Sequence, residues 1–200
     1  MANAAPNKRG IETRLKLLAA GVSEFHVNGF NGVGVDQIAK TAGVPKGSFY
    51  NLFESKEAFA AEVIDQYFQS GQSRLNEFFG NKDLSPLDRL RGYFHELISH
   101  YIKLGFRRGC MLGNLTLEAA DQSDIMRDRL AQNLRLWSAT LASAIEEAQQ
   151  RGEVTNRILP STLADFTLNC WEGALLRMKA EKSIAPLEQA CDVIFRVILV

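Results

Sequence analysis

The stretch Val35-Asp36-Gln37-Ile38-Ala39-Lys40-Thr41-Ala42-Gly43-Val44-Pro45-Lys46-Gly47-Ser48-Phe49-Tyr50-Asn51-Leu52-Phe53 constrains this chain more than any other. It spells two short helices separated by a tight turn. Ile38, Ala39 and Ala42 give the first helix a narrow apolar face, Gly43 can take the positive φ that ends it, and Pro45 supplies a fixed φ for the start of the second. In the second, from Lys46 to Phe53, the residues Phe49, Leu52 and Phe53 fall three and four apart and face a core. Lys46, Ser48, Tyr50 and Asn51 are then turned elsewhere. A lysine, two hydroxyls and an amide are donors suited to phosphates and base edges. Taken alone, the segment suits an αα-hairpin with a solvated polar face as well as a helix-turn-helix.

The flanks separate the two. Upstream, about Glu12 to Asn28 reads as a helix with Leu15, Leu18, Ala19, Val22 and Phe25 on one stripe, stopped by Gly29-Phe30-Asn31-Gly32. Downstream, Ser55 is a good N-cap and Glu57 falls in the positive first turn of a long helix. From Thr13 to Ala60 the arrangement resembles the TetR family of bacterial transcriptional regulators. The matching pieces, in order, are Gly29-Phe30, Val35 to Ala39, Ala42-Gly43-Val44, Lys46-Gly47-Ser48-Phe49-Tyr50, Phe53 and Ser55-Lys56-Glu57-Ala58. Gly34 departs from the family, which often has Thr or Ser there; glycine still caps, but a hydroxyl contact to phosphate is lost.

The resemblance implies an all-α fold. An N-terminal three-helix helix-turn-helix head, residues 1–54, would precede a C-terminal antiparallel helical domain for ligand binding and dimerisation, residues 55–200. It implies a one-component regulator, expected to be a repressor released from a palindromic double-stranded DNA operator by a small-molecule effector. The helix from Lys46, with Gly47 in its first turn, would enter the major groove. Lys46, Ser48 and Asn51 would lie nearest the bases and Tyr50 on phosphate, with Lys56 a second phosphate candidate by its match to the family pattern.

Charge agrees with that division. Residues 1–53 carry six Lys+Arg against three acids, a balance of +3, and the whole chain is neutral, so the remainder is −3. A basic head on an acidic body suits a DNA-binding unit joined to a sensor. No segment approaches the roughly 20 apolar residues of a membrane span, and Met1 to Arg9 lacks the apolar core of a signal peptide, so a cytoplasmic protein without membrane partners is expected. Cys110, Cys170 and Cys191 show no Cys-x-x-Cys spacing and form no metal-ligand pattern with the three histidines. Neither a metal nor another cofactor is indicated.

The rest reads as helix after helix: Ser55 to about Phe79; a helix capped by Ser85-Pro86-Leu87-Asp88; a short one from about Cys110 to Ala120; one capped by Ser123 and stopping near Arg151-Gly152; then Ser161 to Lys182 and Pro186 to Val200. The last two are apolar over wide stripes. The family likeness implies that they pair with the same two helices of a second subunit, which makes Phe166, Cys170, Ala174, Ile194, Val197 and Ile198 the candidate homodimer interface. The stripes would equally close the subunit's own core.

For the effector, the segment Phe106-Arg107-Arg108-Gly109-Cys110-Met111-Leu112-Gly113-Asn114-Leu115 stands out. It looks like the Gly-Cys-Leu-Leu-Gly-Asn-Leu segment of a family branch whose members respond to electrophiles and unsaturated small acids. Two preceding arginines and a helix start would lower the Cys110 thiol pKa, whereas a free Cys beside Met and Leu is commonly a small buried hydrophobe. Candidate effector-binding or sensing residues are Cys110, Phe94, Met111, Asn114, Trp137 and Trp171, the aromatics serving equally as core. An enzyme built on Cys110 with His95 or His100 is the rival reading, but the chain has no nucleophile elbow and no phosphate loop, so no catalytic residue is assigned. A helical interaction module without DNA binding is the other.

Overall fold

A computed structural model describes residues 8–200; Met1 to Asn7, part of the stretch read for a signal peptide, lie outside the described residues. The chain forms α1 (Lys8–Asn28), α2 (Val35–Ala42), α3 (Lys46–Tyr50), α4 (Lys56–Gly80), α5 (Pro86–Lys103), α6 (Met111–Ala119), α7 (Asp124–Gln150), α8 (Pro160–Glu181) and α9 (Ala185–Val193). Ile194–Ile198 then continue as a π-helical turn, and no strand occurs among the described residues. The all-α expectation holds. The helix starting at Lys46 ends at Tyr50 rather than Phe53, because the chain must turn through Asn51 and Leu52 to bring Ser55 to the cap of α4. There the Ser55 Oγ accepts the Ala58 N–H at 3.0 Å. The last helix likewise gives way to the π turn instead of running on to Val200.

The chain divides into two units. One runs to Gln69 and takes in Asn114–Ala131, and the other holds Ser70–Gly113 and Gln132–Val200. These divisions fall elsewhere than the 54/55 boundary expected from sequence, because the first half of α4 and most of α6 carry contacts to the head.

In the first unit Leu17, Phe25, Ile38, Phe49, Phe59, Val63 and Leu115 are fully buried. Glu24, also buried, ties α1 to α2 by accepting from the Thr41 hydroxyl (2.6 Å) and from the amides of Asn28 (3.1 Å) and Gln37 (3.3 Å). The Thr41 bond, with smaller help from Gln37 and Asn28, outweighs burial and holds the Glu24 carboxyl below its ordinary range. After α1 the chain turns at Gly29, whose φ is +74°. A β-carbon there would stand 2.5 Å from Oε2 of Glu118 on α6. The carboxylate accepts the N–H groups of Phe30 (2.9 Å) and Asn31 (2.6 Å), so the end of α6 is clasped in the turn below α1. From the other side of that turn, the Lys56 amine donates to the Phe30 carbonyl at 2.6 Å and lies 4.1 Å from the Phe30 ring centroid. Asp65 of α4 and Arg129 of α7 add an ion pair at 2.9 Å.

The second unit is organised around a charge. Arg89, on the first turns of α5, is 1% exposed. Its guanidinium makes two parallel bonds to Glu147 of α7, both 2.9 Å, and also donates to the carbonyls of Leu84 (3.1 Å) and Phe79 (3.3 Å). Ser85 caps α5 as its sequence indicated, accepting the Asp88 N–H at 3.2 Å. Above Arg89, Phe94 packs edge-on against Trp171 of α8 (5.0 Å) and Phe195 of the π turn (5.9 Å), fixing the chain's last segments against α5.

Arg89→Met should unfold roughly 5 °C lower than the wild type in a thermal melt followed by circular dichroism, since two carbonyls lose their donor and Glu147 loses its partner. An unchanged midpoint would mean that the buried arginine contributes no net stability. Glu118→Ala should expose the Phe30 and Asn31 amides to exchange about tenfold or more faster, measured by hydrogen–deuterium exchange. Retained protection at both would place the anchor of this turn elsewhere.

Candidate nucleic-acid interface and effector site

α2 ends at Gly43, which sits in the left-handed region (φ +67°, ψ +33°) with its N–H on the carbonyls of Ala39 and Lys40. Pro45, at φ −60° and ψ +141°, leads directly into α3. Five residues make too short a helix to persist on their own propensity. Packing supplies what is missing: the Phe49 ring is fully buried, 4.9 Å from Phe59 and 5.3 Å from Phe53, and Phe59 stands 5.9 Å from Phe25 of α1. Arg14 closes the exit, lying 4.6 Å over the Phe53 ring, donating to the Leu52 carbonyl at 3.2 Å and pairing with Glu62.

With Phe49 inward, the opposite face of α3 is set. Lys46, Gly47, Tyr50 and Asn51 are exposed and Ser48 is half-buried, so these candidates share one polar surface. Tyr50 is 57% exposed, its ring edge-on to Phe49 at 5.4 Å. Lys46 reaches back to Asp36 at 2.8 Å; this hydrogen bond and charge raise the lysine pKa, and a phosphate must compete with Asp36 for it. Gly34 caps α2 with no side-chain bond. Lys56 stands apart from the α3 surface. It is half-buried, one of its three N–H groups is spent on Phe30, and burial holds its amine below the usual lysine range against the pull of Glu57 and Glu118.

In the second unit the effector candidates separate. Cys110 is 5% exposed, Met111 fully buried, and Trp137 7% exposed. Phe94 and Trp171 pack edge-to-face in the core, and Asn114 lies on the part of α6 that belongs to the first unit. Burial, then the Glu172 carboxylate, pushes the Cys110 thiol well above its ordinary range, although the N–H groups of Gly113 and Leu112 point at the sulfur. The expectation that Arg107 and Arg108 lower this pKa is therefore overturned: both are exposed, and what governs the thiol is its dry surroundings and an anion. Nor is Cys110 the most accessible thiol. Cys191 is buried and pushed up to about 12, whereas Cys170 is half-buried with only burial raising it.

Sequence reasoning missed Tyr93 and Glu172. Glu172 hydrogen-bonds the Cys110 thiol, and burial holds its carboxyl up at about 7. Tyr93, 4% exposed on α5, feels both Cys110 and Glu172, and burial raises its phenol. The only sequence signal was Gly113, a glycine inside a helix that reads from sequence as a hinge together with Gly109. The structure explains it, because a β-carbon at 113 would lie 2.4 Å from Oε2 of Glu172.

The candidate interface residues also separate. Ala174 and Ile194 are buried in the subunit's own core and cannot meet a partner as drawn from the sequence. Phe166 (49%) and Val197 (65%) are exposed, while Cys170 and Ile198 are half-buried. The outward stripe of α8 runs Phe166, Cys170, Gly173 and Leu176, one residue round from the stripe through Ala174.

Among the described residues no helix is long and apolar enough to cross a membrane, and no group of three or more His, Cys, Asp or Glu side chains could hold a metal ion. Residues 17–63 match the family model of bacterial regulatory proteins of the tetR family, and residues 86–194 match the tetracyclin repressor-like C-terminal domain. The HTH-type transcriptional repressor DhaR of Mycobacterium sp. (strain GP1) is 36% identical over 93% of this chain and 92% of its own. The HTH-type transcriptional repressor NemR of Escherichia coli K12 is 33% identical over 90% of each. The crystal structure of the reduced form of E. coli NemR superposes with a TM-score of 0.86 at 32% identity, covering 92% of this chain and 96% of that one. Head, body and full-length relatives agree: the chain belongs to the TetR family of bacterial transcriptional regulators.

Proposed function

We propose that this protein is a repressor that binds a palindromic operator as a homodimer and lets go when a small electrophilic compound reaches Cys110. The observation that carries the reading is the α3 surface, where four exposed candidates and Ser48 are held outward by one buried phenylalanine. Lys46, Ser48 and Asn51 are the base readers, with Gly47 letting the backbone approach. Tyr50 is a phosphate contact, and Lys56 serves phosphate only through the N–H groups that Phe30 leaves over. Support for repression comes from the relatives: DhaR and NemR are both named transcriptional repressors.

Two α3 helices are needed, since a single five-residue helix buries too little surface for tight specific binding. The exposed apolar stripe of Phe166, Cys170, Gly173 and Leu176 on α8, with Val193 and Val197 beyond it, is the surface we assign to the partner subunit. α6 is the element through which the effector acts. It begins next to Cys110 and ends at Glu118, the carboxylate clasped by the Phe30–Asn31 turn, so an adduct that shifts its start biases the turn from which α2 and α3 follow. Ahead of it Phe106 (φ 59°) and Arg108 (φ 72°) hold positive φ between two glycines, a lead-in strained at those two residues that a shift of α6 can relax.

In mobility-shift titrations, Tyr50→Phe should weaken operator and random DNA alike, while Asn51→Ala should weaken the operator preferentially, each by about 1–3 kcal/mol per subunit. Wild-type affinity in both variants would remove α3 from the interface. Gly173 has open space around it, so Gly173→Arg should fold but sediment as a monomer, with the Cys170 thiol then labelled faster by an aromatic disulfide reagent. A dimer with unchanged Cys170 labelling would move the partner surface off α8.

A further inference from the structure

A thiol with its pKa pushed up by burial carries almost no thiolate at neutral pH and is a poor nucleophile unaided. Cys110 is not unaided. The N–H groups of Leu112 and Gly113, in the first turn of α6, are directed at its sulfur, where they stabilise negative charge as it develops. α8 brings Glu172 to the other side, through the gap left by the absent β-carbon of Gly113. One oxygen of that carboxyl, Oε1, is buried without a hydrogen-bond partner. On α7, the buried indole N–H of Trp137 is directed at the Tyr93 hydroxyl, which senses both Cys110 and Glu172. A buried carboxyl oxygen left without a donor beside a thiol is rare in a folded interior and describes a place made for a further molecule.

We propose that Glu172 is the general base of a thiol-addition site, taking the Cys110 proton as an α,β-unsaturated carbonyl compound adds to the sulfur. This rests on the reading that Cys110 is the sensing thiol. The S–C bond forms at the β-carbon of the compound, and the C=C π pair moves to the α-carbon and carbonyl as an enolate. The S–H proton passes to the Glu172 carboxylate and from there to the α-carbon, so nothing is oxidised or reduced. Tyr93, its oxygen facing the Trp137 N–H, supplies its hydroxyl proton as a donor for the carbonyl oxygen. The compound is neutral, because an anion would meet Glu172 in a dry site. The titratable group facing the pair is Tyr93 of α5, on which Arg74 of α4 also acts. With the Glu172 carboxyl held at about 7, the base is present above that pH and lost by protonation below it.

Simple electrostatics and base catalysis predict opposite signs. A carboxylate beside a thiol disfavours thiolate, so as a mere neighbour Glu172 would slow alkylation and Glu172→Gln would speed it. The full-length protein is treated with methyl vinyl ketone between pH 5.5 and 8.5, and the Cys110 adduct is followed by peptide mass spectrometry. Wild-type alkylation should rise through about pH 7 and level off. Glu172→Gln should be slower by about 100-fold at pH 8 and lack the plateau, and Glu172→Asp should recover part of the rate. A Glu172→Gln protein that reacts as fast as wild type or faster overturns the proposal, and so does a wild-type profile without the inflection, which needs no variant to fold. Operator release is scored separately. If Cys110→Ser still releases DNA on treatment, the sensing assignment fails, while the alkylation profile still decides the role of Glu172.

Discussion

The outward polar face of α3 depends on a cluster of phenylalanines buried beneath it. α3 is five residues long and cannot hold itself as a helix. Phe49 anchors it from below, against Phe53 and Phe59, and Phe59 in turn is seated on Phe25 of α1. The polar face is therefore a by-product of the apolar one: once Phe49 is buried, the direction of Lys46, Tyr50 and Asn51 is no longer free. The same cluster includes the first turns of α4, so the recognition surface and the helix leading away from the head share one core.

Within each unit the decisive polar groups are carboxylates turned inward. Glu24 joins α1 to α2, Glu118 joins α6 to the turn after α1, Glu147 holds Arg89, and Glu172 reaches Cys110. The first three are well matched with donors, and in Glu24 and Glu147 hydrogen bonding overcomes burial to keep the carboxyl below its ordinary range. Glu172 is the exception. It has too few donors, and burial wins. The Glu172 carboxyl is thus set apart from Glu24 and Glu147 both by its scarcity of donors and by its depth.

Local signals in the sequence were legible because they are settled within one turn of chain. Ser85-Pro86-Leu87-Asp88 places the start of α5 correctly, and Gly43 with Pro45 places the turn between α2 and α3. Glu118 was illegible, since its partner Phe30 lies 88 positions away and nothing in the spacing of α6 marks it. Glu172 follows Trp171 along the edge of an apolar stripe, where periodicity alone cannot say whether a side chain turns in or out. Which α8 residues face outward was hard to read for a related reason: α8 is apolar on two faces, and the step from Gly173 to Ala174 is the step from solvent to core. The pair of arginines before Cys110 misled because adjacency in sequence is not adjacency in space, and both point away.

Gly113 has a consequence for how this site can change over time. Within a helix it costs about 0.5–1 kcal/mol relative to alanine, yet the gap it leaves is filled by the Glu172 carboxyl. Neither position can then drift alone. Alanine at 113 should displace the Glu172 carboxyl from its place beside the thiol, and should only firm the helix once 172 carries a shorter side chain. The effect of one substitution then depends on the other, between two residues far apart in sequence. A lineage that keeps the glycine keeps the option of a base beside the thiol, and one that fills it has given that chemistry up.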